Sequence, residues 1–295
     1  MTTSINLFRS VLYVPCSNLR AIEKIKMLPT DCIIFDLEDS VLPEQKIQAR
    51  STICDILKNR KNEFCDKYIV VRVNGINTVW GVDDLEAIYE LNPDAILLPK
   101  VESKDDLRYI FENFIEINKS GVNFWAMIET PLSIINLESL AKHKCDLKAF
   151  VVGTNDLLET MGLKGSEERK ELLYAISKVT MISKAFNIIS IDGVFNNFKD
   201  KIGLEKECLQ GKNFGFDGKT LIHPAQIEIA NKVFSPSENE IKEAYEIIEC
   251  FKINSKEGSG VAVYKGRIIE DLHVRAAKKL ISFDSIIKSN LKGDN

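Results

Sequence analysis

Short, almost continuously apolar segments recur along this chain, and each is followed by a stretch with helical periodicity. A strand that is apolar on both faces must be buried on both faces, which is typical of a parallel sheet covered by helices. The segments predicted as strands are Ser10–Val14, Cys32–Asp36, Tyr68–Val73, Ala95–Leu98, Phe124–Ile128, Ala149–Val152, Ile188–Ile191 and Gly215–Ile222. Eight strand–helix alternations predict an α/β fold, a (β/α)8 TIM barrel.

A doubly wound open sheet is the alternative fold. Such a sheet usually has a glycine-rich phosphate-binding turn after its first strand. Here the residues after the first strand are Pro15-Cys16-Ser17-Asn18, which do not form that motif. The barrel is therefore favoured.

The chain is longer than the barrel requires. We expect residues 1–234 to form the catalytic barrel and residues 235–295 to form a C-terminal helical extension. Within the extension, Ser237–Glu240 has the pattern of a helix capping box, and a last helix is predicted near Leu272–Lys288. A glycine joint at Gly258–Gly260 suggests that this extension acts as a movable cap.

Composition excludes several classes of function. The chain has 295 residues, 45% of them hydrophobic, with a net charge of -4 and no long block of Lys or Arg, so no nucleic-acid surface is expected. Its apolar runs are too short for a membrane span, and Met1 to Phe8 lack a secretory signal pattern. The seven cysteines contain no CxxC pair, which favours reduced thiols in the cytoplasm.

Polar residues follow the predicted strands. In a barrel, the carboxyl ends of all strands meet at one rim, where active sites lie. Burying many charges at one place is costly unless a metal or an anionic ligand compensates them. The residues concerned are Asp36, Glu38, Asp39, Arg72, Asn74, Lys100, Glu129, Asn155, Asp156, Asp192 and His223.

Glu129 and Asp156 follow neighbouring strands, the fifth and the sixth. Either could simply be a helix-terminal acid, since acidic residues are favourable near the N-terminus of a helix. Together they could hold Mg²⁺, which often uses one or two carboxylates plus water and ligand oxygens. The three histidines are not spaced for a zinc site.

Arg72 closes the third strand, and period-2 alternation places it on the same side as Val70, toward the barrel interior. It could pair with Asp36 or Glu38 in a structural role, or it could hold a substrate carboxylate in bidentate geometry. Asp36, Glu38 and Asp39 are expected to orient Arg72 and Lys100 rather than to bind a metal directly. His223 is expected to anchor a loop.

An ordered set of motifs covers nearly the whole chain. It resembles the citrate lyase beta-subunit-like family, which includes malyl-CoA and citramalyl-CoA lyases. The motifs are Phe8–Pro15, Phe35–Val41, Arg72–Asn74, Pro99-Lys100, Ile128–Pro131, Gly153–Leu157, Ile191–Val194, Gly215–Lys219 and Ile222–Gln226.

The resemblance implies a role for several residues. Glu129 and Asp156 match Mg²⁺ ligands, and Arg72 matches an arginine that binds the keto acid. Asn155, which is adjacent to Asp156, is expected to bind substrate together with Asp156 and Arg72. Two further residues, Phe8 and Arg9, match contacts to CoA near the barrel mouth.

The resemblance also implies a homo-oligomer, a trimer or a hexamer, in which the C-terminal segment completes a neighbouring site. Two positions depart from the family pattern. Cys16 stands where a small residue is usual, and Glu270 stands where the family has an acid/base Asp. Because Asp271 is adjacent, the alignment leaves open which of the two carboxylates is catalytic.

The expected function is therefore a Mg²⁺-dependent lyase that cleaves a 3-hydroxyacyl-CoA thioester into a keto acid and an acyl-CoA, or condenses them. Three alternatives stand beside it: a metal-dependent pyruvate aldolase without CoA, the beta subunit of a carrier-protein-dependent citrate lyase, and a non-catalytic CoA-binding protein.

Overall fold

The computed structural model describes residues 6–115, 121–142, 147–256 and 260–292. Cys145 lies outside these ranges, as do Gly258 and Ser259 of the predicted glycine joint. The chain divides into a barrel unit, Phe8–Phe234, and a C-terminal unit that begins at Ser235 and includes the residues before Phe8. None of the helices in the described ranges is both long and apolar enough to cross a bilayer.

The barrel unit is a closed parallel barrel in which each strand pairs with the next and the first pairs with the last. Its strands are β1 (Ser10–Pro15), β2 (Cys32–Asp36), β3 (Tyr68–Arg72), β4 (Ala95–Leu98), β5 (Asn123–Ile128), β6 (Leu147–Val152), β7 (Ile189–Asp192) and β8 (Gly218–Leu221). The predicted (β/α)8 barrel is confirmed. The last predicted strand was too long at its start, because Gly215, with φ +98°, ends the preceding helix.

Helices surround this barrel. They are α1 (Leu19–Ile25), α2 (Lys46–Asp55), α3 (Gly81–Tyr89), α4 (Lys104–Ile110), α5 (Pro131–Ile135), α6 (Leu137–Ala141), α7 (Thr154–Thr160), α8 (Leu173–Phe186), α9 (Lys201–Phe214) and α10 (Ile227–Phe234). Short 3-10 turns lie at Pro43–Gln45, Lys61–Phe64, Lys170–Leu172 and Pro224–Gln226, and π-helical turns at Ile56–Arg60 and Phe111–Ile115.

Side chains alternate across each strand, so the barrel separates two apolar clusters. The larger one fills the space between the strands and the surrounding helices. The smaller one fills the barrel interior. At the amino end of the strands the interior is closed by aromatic packing, in which the ring of Phe8 lies edge-on to Tyr68 and to Trp125, at centroid distances of 5.1 and 5.4 Å. The opposite, carboxyl end is lined by polar side chains.

The C-terminal unit contains α11 (Glu238–Lys256), a hairpin of β9 (Ala262–Tyr264) and β10 (Arg267–Ile269), and α12 (Asp271–Lys292). The predicted capping box precedes α11: the backbone N–H of Ser237 donates to Glu240 Oε2, and the N–H of Glu240 donates to Ser237 Oγ.

Neither strand of this hairpin was predicted. Each is three residues long, and the turn between them is Lys265-Gly266, both with positive φ, rather than the more recognisable Asn-Gly. The C-terminal unit therefore contains a hairpin as well as the predicted helices.

Candidate active site

Arg72 lies inside the barrel, at its polar, carboxyl end. It points inward, as the alternation from Val70 predicts, and its Nε and Nη2 donate to the two carboxylate oxygens of Asp36 at 2.7 and 2.8 Å. Its guanidinium carbon lies 4.9 Å above the centre of the Tyr13 ring. A planar cation clamped on one edge and stacked on an aromatic face has little freedom to move.

Two acids hold Arg72 from the end of β2. Burial would raise the pKa of Asp36, but the adjacent Arg72 charge holds that pKa below its usual range. Glu38 Oε2 lies 2.8 Å from Arg72 Nη1, and Glu38 Oε1 lies 3.2 Å from Lys100 Nζ. The guanidinium has five N–H bonds, of which Asp36 takes two and Glu38 faces a third. Asp39 Oδ2 lies 3.5 Å from the same Nη1, too far for a good hydrogen bond, so N–H bonds of Arg72 remain that can donate to a further carboxylate.

Glu129 lies at the carboxyl end of β5, 1% exposed and on the inward side shared by Met127 and Trp125. Its Oε1 accepts a hydrogen bond from the backbone N–H of Lys100 at 2.8 Å. Its Oε2 is buried and has no hydrogen-bond partner among the described residues. A buried carboxylate oxygen without a donor is costly. Glu129 therefore presents an oxygen that requires a cation or a donor from a ligand.

Asp156 supplies the second carboxylate, from the first turn of α7, and it is close enough to raise the pKa of Glu129. Burial, the charge of Glu38 and the contact with Asp156 raise the pKa of Glu129 to about 8. Among the described residues no three His, Cys, Asp or Glu side chains converge as a metal cage. Two facing carboxylates nevertheless fit Mg²⁺, which usually keeps several water ligands.

Gly153 makes room for Glu129. A Cβ atom at this position would lie 2.4 Å from Glu129 Cβ and 2.6 Å from its Oε2. The φ of Gly153 is -96°, which other residues adopt freely, so a side chain is excluded by the contact and not by the backbone. A glycine must therefore follow β6 if the Glu129 carboxylate is to keep its position.

Gly153→Ala should consequently displace the Glu129 carboxylate. A displacement on the order of 1 Å can reduce a catalytic step by roughly a hundredfold, and overpacking costs about 1–3 kcal/mol of stability. Steady-state rates across a Mg²⁺ titration, with thermal melts, measure both effects. Gly75→Ala is the matched control, since its Cβ would meet only Thr78 at 3.8 Å. Unchanged rates and Mg²⁺ dependence in Gly153→Ala would contradict this account.

Other polar residues at the ends of the strands do not join this group. Asn155 is exposed and exchanges hydrogen bonds with Asn196. Asn74 is bound to Lys46 and Asp84. His223 caps the turn at Pro224–Gln226 through its Nδ1, in agreement with the predicted loop-anchoring role.

The expectation that Asp192 converges on the same rim is wrong. Its side chain points away from the barrel interior, toward Gly211 of α9, and Arg169 Nη1 and Lys219 Nζ contact it at 2.8 and 3.2 Å. The neighbouring Ile191 belongs to the interior cluster, so alternation turns Asp192 outward. Asp192 is part of a buried ion-pair network between the barrel and its helices.

Phe8 and Arg9 do not lie near the barrel mouth, and that prediction of their place is wrong. Both residues precede β1, so they are at the amino end of the barrel, opposite Glu129. Phe8 packs in the interior cluster, and Arg9 is already paired with Asp31, its Nε and Nη2 donating at 2.9 and 2.7 Å. Both side chains are therefore engaged at the amino end of the barrel and are not available to bind CoA at its carboxyl end.

Tyr13 and Gly153 are site residues that the sequence analysis did not single out. Tyr13 follows Val11 by two positions on β1, so alternation alone could have placed it inside the barrel. Cys16, the departure noted after β1, is fully buried in the outer cluster, and burial raises the pKa of its thiol well above the usual value. Such a thiol is a packing group, not a nucleophile.

Comparison with known proteins decides the family. The model of the HpcH/HpaI aldolase/citrate lyase family matches residues 9–224, which span almost the whole barrel unit. The chain belongs to this HpcH/HpaI aldolase/citrate lyase family. It is therefore an enzyme of a lyase and aldolase group, as its ordered motifs predicted.

Individual members of the HpcH/HpaI family are similar over most of the chain. A (3S)-malyl-CoA thioesterase of Cereibacter sphaeroides is 42% identical over 93% of this chain and 94% of its own. Human mitochondrial citramalyl-CoA lyase is 32% identical over 95% of this chain and 86% of its own. Among solved structures, the citrate lyase beta subunit of M. tuberculosis complexed with oxaloacetate and magnesium has a TM-score of 0.66 at 26% identity, covering 78% of this chain and 98% of that one.

Proposed function

We propose that this protein is a Mg²⁺-dependent carbon–carbon lyase that cleaves a malyl- or citramalyl-type CoA thioester into a keto acid and an acyl-CoA, or catalyses the reverse condensation. The observation that carries this proposal is the pair of facing carboxylates, Glu129 and Asp156, beside a clamped Arg72. A relative complexed with oxaloacetate and magnesium and a relative named citramalyl-CoA lyase support it.

In this mechanism Glu129 and Asp156 would hold the Mg²⁺, which would supply Lewis-acid stabilisation of the negative charge that develops on an oxygen of the substrate. The N–H bonds of Arg72 not used by Asp36 and Glu38 bind the carboxylate of the keto acid. A base removes the proton of the β-hydroxyl, the carbon–carbon bond breaks, and the electron pair moves to the acyl-CoA as an enolate, which then takes up a proton.

Glu270 is our candidate for the group that moves this proton. It is exposed in the C-terminal unit, immediately before α12. Its carboxylate contacts none of the described residues, whereas the carboxylate of Asp271 is engaged by Arg275 Nε at 3.1 Å. Because the carboxylate of Glu270 has no such partner among the described residues, Glu270 is the better candidate of the two for proton transfer.

Glu270→Gln should therefore abolish most turnover while CoA-thioester binding persists, and Asp271→Asn should have a mild effect. Turnover is measured by steady-state kinetics and thioester binding by calorimetry on the same preparations. If Asp271→Asn instead loses activity and Glu270→Gln keeps it, the two roles are exchanged. Full activity in both variants would assign proton transfer to another group.

An exposed apolar face in the C-terminal unit supports a homo-oligomer. Val263 and Ile268 stand opposite each other on the β9–β10 hairpin and are 67% and 65% exposed. The other face of this hairpin packs on α11 and α12, whereas this apolar face is bare, so a partner surface is expected to cover it. We propose that the C-terminal unit packs as a cap on another copy in a trimer or hexamer, which sedimentation analysis would test.

The CoA moiety must reach Glu129 from the carboxyl end of the barrel. Arg20 lies in the first turn of α1, just after β1, where it is exposed and forms no ion pair with the described residues. It replaces Arg9 as our candidate contact for the CoA phosphates. The six described cysteines are all free thiols, which supports action in the reducing cytoplasm.

Thioester hydrolysis is the second candidate function, because the relative with 42% identity is named (3S)-malyl-CoA thioesterase. One experiment separates the two. With (3S)-malyl-CoA and Mg²⁺, a lyase yields glyoxylate and acetyl-CoA, whereas a hydrolase yields malate and free CoA. The proposed function fails if carbon–carbon cleavage is absent across malyl-, citramalyl- and citryl-CoA.

The same panel tests the remaining alternatives. Cleavage of free hydroxy keto acids, with no cleavage of thioesters, would indicate an aldolase without CoA. Cleavage only of carrier-protein thioesters would indicate a subunit of a citrate lyase complex. Thioester binding without any turnover would indicate a non-catalytic protein.

A further inference from the structure

Lys46 is a buried lysine with an unusual set of partners. It is the first residue of α2, in the outer helical layer, and is 7% exposed. Its ammonium donates to the backbone oxygens of Leu37 and Glu38, both at 3.0 Å, and to Asn74 Oδ1 at 2.7 Å. All three N–H donors of the ammonium are thereby used.

No carboxylate of the described residues forms an ion pair with Lys46. The Trp80 ring, with its centroid 5.2 Å from Nζ, lies beside the same ammonium. Burial lowers the pKa of Lys46 and outweighs the nearby carboxylates, Asp36 and Glu38 foremost, which favour the charged ammonium. Burying a charge that has no direct ion-pair partner is costly. The three hydrogen-bond acceptors of the lysine therefore indicate what it does.

Two of those acceptors flank one site residue. The carbonyl oxygens of Leu37 and Glu38 belong to the two peptide groups immediately before and after the α-carbon of Glu38, which carries its side chain. Asn74 Nδ2 adds a further donor to Leu37 O at 2.9 Å. Donors from α2 and from the end of β3 thus fix the segment after β2. These hydrogen bonds hold the backbone of Glu38 in place.

Asn74 is in turn fixed from α3. Its backbone N–H and its Nδ2 donate to Asp84 Oδ2 at 3.2 and 2.6 Å, and Arg50 Nε lies 3.2 Å from Asp84 Oδ1. Two helices outside the barrel therefore converge through Lys46 and Asn74 on the ends of β2 and β3.

Glu38 connects this network to the candidate active site. Its carboxylate contacts Arg72 Nη1 on one oxygen and Lys100 Nζ on the other. Lys100 has a positive φ of 53°, and its backbone N–H donates to Glu129 Oε1. A shift of the Glu38 backbone would therefore move Arg72 and Lys100, the two cations that its carboxylate contacts.

We propose that Lys46 is a positioning residue for keto-acid binding: its ammonium fixes the backbone around Glu38, so that Glu38 holds Arg72 and Lys100 in register with Glu129. This inference rests on the proposed function, because the keto acid is the ligand that Arg72 and Glu129 would bind together. Lys46 itself touches no reacting group.

The test compares Lys46→Met, which keeps length and loses all three donors, with Lys46→Arg, which keeps the charge and donors. Lys219→Met is the matched control: Lys219 is also fully buried, but its ammonium contacts Asp192, Glu207 and the Gly193 backbone oxygen instead of the site. Calorimetry with glyoxylate or pyruvate in the presence of Mg²⁺ measures keto-acid binding, and the condensation reaction gives KM and kcat.

Lys46→Met should weaken keto-acid binding by roughly 10- to 100-fold, the usual scale for losing an outer partner of a binding group. Lys46→Arg should recover much of that loss, and Lys219→Met should lower the melting temperature while the folded protein binds keto acid normally. Wild-type keto-acid binding in folded Lys46→Met overturns the inference.

Hydrogen–deuterium exchange separates this inference from the proposed function. If the wild-type protein binds no keto acid, the proposed function fails, yet the inference still requires faster exchange at residues 36–39 in Lys46→Met than in Lys219→Met. Equal exchange in the two variants overturns the positioning role independently of any activity.

Discussion

Replacing Glu129 by glutamine should abolish Mg²⁺-dependent turnover while leaving the fold intact. Glutamine keeps the shape of the side chain and an oxygen for the Lys100 backbone N–H, but it removes the charge that a cation requires. We expect the rate to fall by roughly three orders of magnitude, the upper end for losing one preorganised electrostatic group. Steady-state kinetics over a Mg²⁺ titration, together with circular dichroism, provides the measurement.

The fold should even gain stability in this variant. Burial and the neighbouring acids raise the pKa of Glu129 to about 8, so above the ordinary carboxyl pKa the fold must either take up a proton at this group or carry a crowded charge. A neutral glutamine avoids that cost, and the effect is expected in metal-free buffer near neutral pH. A higher melting temperature with no activity would therefore be the clearest outcome.

Two further variants complete the experiment on Glu129. Asp156→Asn should have the same effect on Mg²⁺ dependence, since the two carboxylates are expected to share the ion. Glu138→Gln is the control, because Glu138 is a surface carboxylate, 58% exposed, whose partner Lys142 lies outside the candidate site. Activity close to wild type in Glu129→Gln would show that the metal assignment is wrong.

The barrel could be predicted from the sequence because its strands are apolar on both faces. Such runs are buried whatever loops connect them, and their number and spacing leave few topologies. The predicted bounds failed mainly where a helix and a strand adjoin, as at Gly215, since both elements are apolar there.

The candidate site was predicted where strand alternation applies. Arg72 lies on the interior side with Val70, and Glu129 with Met127. The same rule, applied to Ile191, would have turned Asp192 away from the site. Chain direction would have placed Phe8 at the amino end of the barrel, because it precedes the first strand.

Other parts of the site depend on tertiary contacts that no local pattern contains. The hydrogen bond from Lys100 to Glu129 requires a left-handed residue after β4, and glycine or asparagine would be the usual choice there. The contact of Gly153 with Glu129 depends on how closely the ends of the consecutive strands β5 and β6 approach each other, which no local pattern gives. The three acceptors of Lys46 likewise belong to two different strand ends.

Arg72→Lys should reduce activity by roughly two to three orders of magnitude, the scale of losing one transition-state donor. Lysine keeps the charge but has one nitrogen, so it cannot bind both oxygens of Asp36, face Glu38 and still hold a substrate carboxylate. We expect the loss to appear first as a higher KM for the keto acid in condensation, and calorimetry would show weaker keto-acid binding directly.

Structural damage must be separated from this effect, because Asp36 is buried and a poorly paired buried charge destabilises the fold by several kcal/mol. Arg169→Lys is the matched control: Arg169 is 4% exposed and donates to Asp192 and Gln210, outside the candidate site. Both variants should melt at lower temperatures, but only Arg72→Lys should lose keto-acid affinity in its folded form. Equal kinetics in the two variants would return Arg72 to the purely structural role that its pairing with Asp36 also allows.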